Sequence, residues 1–236
     1  VSSAIASALQ GIRAVIIDLD GTMIDTAPDF HVAINRMRAD IDMAPVSSDV
    51  IIRYVGKGTE NLVRSILALE TPADQLEAIF PKALSRYQHH YQSINGDYSR
   101  IYPEVGTGLD AMREQGLRLA CVTNKPIDFA RPLLEKTALL GYFELVYGGD
   151  SLPRKKPDPY PMLQVCRDFM LEPHQVLAIG DSSNDAQAAR AAGCKIVIVP
   201  YGYNHGLPVQ TIDADGIVET LYQAAGLLAA PVPAPL

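Results

Sequence analysis

The stretch Ala14-Val-Ile-Ile-Asp-Leu-Asp-Gly-Thr22 decides the fold. Four apolar residues, β-branched except for the alanine, stop abruptly at two aspartates and a glycine, as a buried parallel strand does where it meets a functional loop. Working outward, similar apolar runs recur at 117–122, 145–147, 176–179 and 195–199, with a weaker one at 216–218. Helix-period segments separate them, at 105–115, 129–134, 160–170 and 185–192. Strands alternating with helices predict an α/β protein with a parallel sheet covered on both faces.

Between Thr26 and Ser99 the rhythm breaks. Only helical patterns occur there, at 30–38, 61–69 and 74–91, and turn signals mark both edges: Ala27-Pro28 at the start, Asn95-Gly96-Asp97 and Tyr102-Pro103 at the end. The expected division is therefore a core of residues 1–25 and 100–236 with a helical cap domain of residues 26–99. A cap so placed would cover the carboxyl ends of the strands, where open α/β sheets bind ligands. Residues 231–236 read as a frayed tail.

Composition narrows the function. The 236 residues are 48% hydrophobic and 20% charged, enough apolar surface for a sizeable core and too much for a disordered chain. Twenty basic against 27 acidic residues give a net charge of −7, which repels a polyanion, so nucleic acid is not the expected partner. No apolar run approaches the roughly 18 residues of a membrane span. Cys121, Cys166 and Cys194 show neither disulfide-framework nor zinc spacing, so the cytoplasm is the expected location, with a monomer or homodimer both open.

Four polar clusters each follow a predicted strand: Asp18-Leu-Asp20-Gly-Thr22, Thr123-Asn124, Lys155-Lys156-Pro157 and Gly180-Asp181-Ser-Ser-Asn184-Asp185. In a parallel sheet such loops share one edge and converge. Crowded carboxylates stay ionised most readily around a divalent metal, and all-oxygen ligation suits Mg²⁺. Asp18 and Asp20, two residues apart on an extended segment, share a face and can serve one substrate.

These clusters, in this order and with a helical insert after the first, resemble the haloacid dehalogenase superfamily over nearly the whole chain. The resemblance implies a Rossmann-like catalytic core and a Mg²⁺-dependent phosphomonoester hydrolase. Asp18 is then the nucleophile that forms an aspartyl phosphate, and Asp20 the general acid and later base. It also implies that Thr123 and Asn124 position the phosphate and that Lys156 offsets its charge. Asp18, the Asp20 carbonyl and Asp181 would hold the metal, with Asp185 ordering its shell. Gly21 and Thr22 shape the substrate loop. Asp20 disfavours dehalogenation, because halide needs no proton.

More specific stretches resemble the bacterial phosphoglycolate phosphatases: Tyr54-Val-Gly-Lys-Gly58 with Leu62-Val63, Val122-Thr-Asn-Lys-Pro126, Gly148-Gly-Asp-Ser-Leu-Pro153 and Tyr201-Gly-Tyr-Asn-His-Gly206. The implied substrate is a small phosphorylated molecule, 2-phosphoglycolate. Its carboxylate would need a cation from the cap, for which Lys57 is the candidate, with Arg53 and Arg64 behind it. A sugar or nucleotide phosphatase, a β-phosphoglucomutase-like phosphotransferase and a non-catalytic binding protein are the alternatives. The segment 200–208 either reaches the pocket or braces the last strands.

Other motifs read as structure. Asp213-Ala-Asp215-Gly216 follows a polar stretch and reads as a turn. Gly56-Lys57-Gly58-Thr59 fails the phosphate-loop pattern, and Gly106-Thr-Gly108 follows no strand, so it reads as a helix start. Tyr87, Tyr91 and Tyr98 read as packing, and His89-His90 as exposed helix surface.

Overall fold

Strand β1 (Ala14–Ile17) is buried at all four positions and pairs in parallel on both sides, with β4 (Arg118–Val122) and with β6 (Val176–Gly180). The computed structural model describes residues 2–229, so the expected tail at 231–236 lies outside the described residues. With β5 (Leu145–Tyr147), β7 (Lys195–Ile198) and β8 (Gly216–Ile217), the sheet runs β5-β4-β1-β6-β7-β8, parallel throughout. The chain winds outward through β4 and β5, then returns to the other side of β1. This reversal opens a crevice at the carboxyl end of β1.

Alternation along each strand feeds two layers. Val15, Ile17, Leu119, Cys121, Leu177 and Ile179 face helices α6 (Val105–Glu114), α7 (Ile127–Lys136) and α10 (Leu221–Leu228). Ala14, Ile16, Ala120, Val122, Ala178 and Ile196 face α8 (Tyr160–Phe169) and α9 (Ser183–Ala192). A first helix, α1 (Ser2–Ala8), lies against α10. Neither α1 nor α10 has a counterpart among the expected elements; the Leu221, Ala224, Ala225 spacing of α10 is helical, but Gly226 interrupts it.

Residues 27–94 hold four helices: α2 (Ala27–Ala39), α3 (Ser48–Ile52), α4 (Thr59–Leu67) and α5 (Ala73–Ile94). They enclose their own apolar cluster, including Phe30, Ile34, Met37, Ile66, Tyr87 and Tyr91. Phe30 and Tyr87 stack on Tyr91, with centroids 5.4 and 5.6 Å away, while Phe129 of α7 meets Tyr91 edge-on at 5.1 Å. Tyr98 stands apart and is exposed. His89 is exposed as expected, but His90 turns inward to meet Asp40 at 2.7 Å. The hydrogen bonds that Arg86 and His90 give Asp40 hold its carboxyl down at about 2.

The chain enters and leaves this helical layer through a two-stranded antiparallel ribbon, β2 (Ile24–Asp25) with β3 (Arg100–Ile101). Asp29, fully buried in the first turn of α2, clamps the return crossing. It accepts hydrogen bonds from Gly96 N at 2.7 Å, Tyr98 N at 2.8 Å and the Ser99 hydroxyl. A carboxylate so bound is worth about 1.5 to 3 kcal/mol per hydrogen bond. The Asp215 turn is structural: its carboxylate takes Arg190 Nη1 at 3.0 Å and Ile196 N at 2.9 Å, joining α9 to the sheet edge. Among the described residues no helix is long and apolar enough to cross a membrane.

Candidate active site

Asp18, Thr123 and Asp181 are each the first residue beyond a central strand, β1, β4 and β6 respectively. The parallel register, with Ile17 opposite both Cys121 and Ile179, brings all three to one edge. Carboxylate oxygens of Asp18, Asp181 and Asp185 lie within 4.8 Å of one another, all buried. At that separation each pair of charges repels by about 3 kcal/mol for an effective dielectric of about 20. Burial, against the pull of Lys156 and with the push of Asp185, raises the Asp18 carboxyl from 3.8 to about 7. Burial, then Asp185 and Asp18, raises Asp181 well above its ordinary value.

Lys156 partly relieves this crowding. Its Nζ contacts Asp18 Oδ1 at 2.8 Å and donates to Asp185 Oδ1 at 2.6 Å and the Val122 carbonyl at 2.7 Å. Burial pulls the ammonium's pKa down, yet Asp18 and Asp185 outweigh it and hold Lys156 charged above its ordinary value. The second oxygen of Asp185 accepts from Ser182 N and Oγ, closing the capping box that starts α9. Both Asp185 oxygens are therefore engaged. Asp18 Oδ1 is buried without an aligned hydrogen bond, and the all-carboxylate set suits a hard divalent cation.

Asp181 is fixed from two sides. Thr22 Oγ1 donates to its Oδ1 at 3.3 Å, and Tyr203 N donates to its Oδ2. Gly21 takes φ +86°, and a Cβ there would stand 2.2 Å from Asp181 Oδ2; one on Gly202 would be equally close. Both glycines serve close backbone approach. The 200–208 segment thus reaches the site. Tyr203 also ties it to the crossing ribbon, since its hydroxyl accepts from Ala27 N at 2.9 Å and donates to Asp25 Oδ1.

Asp18 and Asp20 line one cavity of about 30 Å³, closed over by Phe30, Val55, Gly56, Gly58, Thr59 and Leu62 of the helical layer. Asn124 and Lys125 complete its wall. Asn124 Nδ2 donates to the Gly56 and Lys156 carbonyls, both at 2.8 Å, and Asn184 Nδ2 donates to Gly56 O at 3.2 Å. Two core asparagines therefore hold one carbonyl of the covering loop.

Residues 15–199 match the haloacid dehalogenase-like hydrolases. The chain belongs to this family. A phosphoglycolate phosphatase of Nitrosospira multiformis is 47% identical over 92% of this chain and 96% of its own length. One of Thiobacillus denitrificans is 46% identical over 91% of this chain and 94% of its own. The crystal structure of a predicted phosphoglycolate phosphatase from Haemophilus somnus superposes with a TM-score of 0.86 at 31% identity, covering 94% of this chain and all of its own.

In this hydrolase the residues singled out from sequence fall into three groups. Asp18, Asp20, Asn124, Lys156, Asp181 and Asp185 converge. Gly21, Thr22 and Thr123 support them from behind: Gly21 and Thr22 pack on Asp181, and Thr123 Oγ1 accepts from Lys125 N at 3.2 Å. Lys57 is exposed and does not line the cavity. Lys125, to which sequence reasoning gave no role, also stands at the cavity wall, with its Nζ 2.9 Å from Asp20 Oδ1. Its sequence signal was its place in the Val122-Thr-Asn-Lys-Pro126 stretch, to which no role was attached.

Proposed function

We propose that this chain hydrolyses a small phosphomonoester, 2-phosphoglycolate, through a phosphorylated Asp18. The observation that carries the reading is that Asp18 and Asp20 both open into one small cavity beneath the helical layer, with Lys156 against Asp18. Names borne by the relatives favour glycolate as the leaving alcohol.

An Asp18 oxygen attacks phosphorus, the ester P–O bond breaks, and its electron pair leaves on the alcohol oxygen, which takes a proton from Asp20. Asp20 then accepts a proton from water, whose oxygen attacks the same phosphorus and returns Asp18 as carboxylate. Lys156 holds Asp18 in place and offsets the charge that an anionic nucleophile meets on an anionic phosphate. Asp18, Asp181 and the Asp20 carbonyl would hold Mg²⁺, which supplies the remaining positive charge. Closure of the cap excludes water during the first transfer.

The test is inorganic phosphate release with Mg²⁺ from 2-phosphoglycolate, sugar phosphates and nucleotides, with Asp18→Asn as blank. A large preference for phosphoglycolate, absent in the blank, is the expected result. Equal turnover of sugar phosphates would remove the substrate assignment, and release by Asp18→Asn would remove the mechanism.

A further inference from the structure

Lys125 is a buried cation with too few acceptors. Its side chain is 2% exposed, and the one hydrogen bond of its Nζ among the described residues goes to Asp20 Oδ1 at 2.9 Å. An ammonium has three protons to place. The faces of Phe30 and Tyr91, 4.6 and 4.8 Å from Nζ to the ring centroids, hold it by cation–π attraction but offer no lone pair. The remaining direction is the cavity that Lys125 helps to line.

The other cations near this site are engaged or turned away. Lys156 already meets Asp18, Asp185 and the Val122 carbonyl. Arg64 lies over the Phe80 ring and pairs with Glu77. Arg53 and Lys57 are exposed and do not line the cavity, and Lys155, also exposed, sets its ammonium against Gly58 from outside the lining, 2.9 Å from where a Cβ would stand. Thr59, which opens α4 without a side-chain cap, adds a helix start to the same wall.

We infer that Lys125 selects the leaving group, its ammonium receiving a carboxylate one carbon away from the ester oxygen. This rests on the phosphatase reading above. The placement follows from the chemistry of Asp20. The ester oxygen must sit against the carboxyl that protonates it, and Lys125 Nζ is the cation one hydrogen bond from that carboxyl. A carboxylate on the adjacent carbon then falls on Lys125, whereas one a methylene further out overshoots it. The substrate class is phosphate esters of small α-hydroxy acids, and Lys125 is the specificity residue in place of Lys57.

The experiment measures kcat/KM with Mg²⁺ for 2-phosphoglycolate, for 2-hydroxyethyl phosphate, which carries an alcohol in place of the carboxylate, and for 3-phosphooxypropanoate, whose carboxylate is one carbon further away. The unaltered enzyme is expected to prefer phosphoglycolate over both. In Lys125→Met its advantage over the hydroxyethyl ester falls about 100-fold, the scale of one lost charge-assisted contact, mainly through KM. Lys57→Met keeps the advantage. If Lys125→Met slows both esters equally, Lys125 serves Asp20 alone and the inference falls while the phosphatase reading stands. If the unaltered enzyme hydrolyses none of the three, both fall. Should Lys125→Met not fold, the unaltered enzyme still decides: equal rates on the α- and β-carboxylates overturn the assignment.

Discussion

Stripped of divalent metal, the protein should lose stability as the pH rises. The Asp18 carboxyl titrates near 7 in the folded state against 3.8 as its ordinary value, because burial, with the push of Asp185 and Asp20, outweighs the help of Lys156. Between those values the folded chain keeps a proton that the unfolded chain has released. Stability from this group is therefore complete below pH 3.8 and is lost as the pH climbs to about 7. A rise of about 3 units at 1.36 kcal/mol each makes the loss about 4 kcal/mol. Asp181, raised in the same direction, adds to it. His205 works oppositely: burial and Lys57 lower its pKa, so its share is present above 6.5 and lost below. Urea denaturation in EDTA at about pH 5 and about pH 8 should therefore be compared with Asp18→Asn, which keeps His205. About 2 of those units lie between pH 5 and 8, so the unaltered protein should lose about 2 to 3 kcal/mol relative to the variant between the two pH values, and saturating Mg²⁺ should abolish that difference. Parallel pH profiles for the two proteins in EDTA would refute the crowding of charge at this edge.

Three further outcomes follow from the same geometry. Gly21→Ala drives a Cβ to 2.2 Å from Asp181 Oδ2 at a φ of +86°, so calorimetry should show Mg²⁺ binding lost and urea denaturation a cost of at least about 2 kcal/mol; normal Mg²⁺ affinity contradicts this. Tyr203→Phe keeps the backbone bond to Asp181 but removes the hydroxyl between Asp25 and Ala27, and should cost about 2 kcal/mol in urea denaturation; an unchanged midpoint would show that the hydroxyl ties nothing. Lys156→Met leaves Asp18 and Asp185 without their shared cation, so about 3 to 5 kcal/mol of stability should go along with phosphate release; a variant as stable as its parent counts against the pairing.

The strand ends were legible because a parallel sheet forces strand-following loops to one edge: the abrupt polar stops at Asp18, Thr123 and Asp181 mark that edge without any contact being known. The helical layer was legible from the lack of strand patterning between Thr26 and Ser99. The ribbon that joins it to the core was not, since β2 and β3 have two residues each and show no period. Lys57 is the converse case. Glycine-flanked, it invites a ligand-facing reading, yet what the loop offers the core is the Gly56 carbonyl. Lys125 lay within the quoted Val122–Pro126 stretch, but its burial could not be read there because it depends on Phe30 and Tyr91, two residues far apart in the chain, folding over it. The packing of Gly21 and Thr22 on Asp181 was not legible, because the approach of this loop, of Gly202 and of Tyr203 to Asp181 is a tertiary event.

The central claim is that Asp18 carries the phosphoryl group. The most direct measurement quenches the enzyme during turnover of 2-phosphoglycolate with Mg²⁺, reduces it with borohydride and maps the modified peptide by mass spectrometry. Reduction of an acyl phosphate leaves homoserine at position 18, and the account predicts that product there and nowhere else. Steady turnover with position 18 unchanged, or homoserine at Asp20 or Asp181, would contradict it.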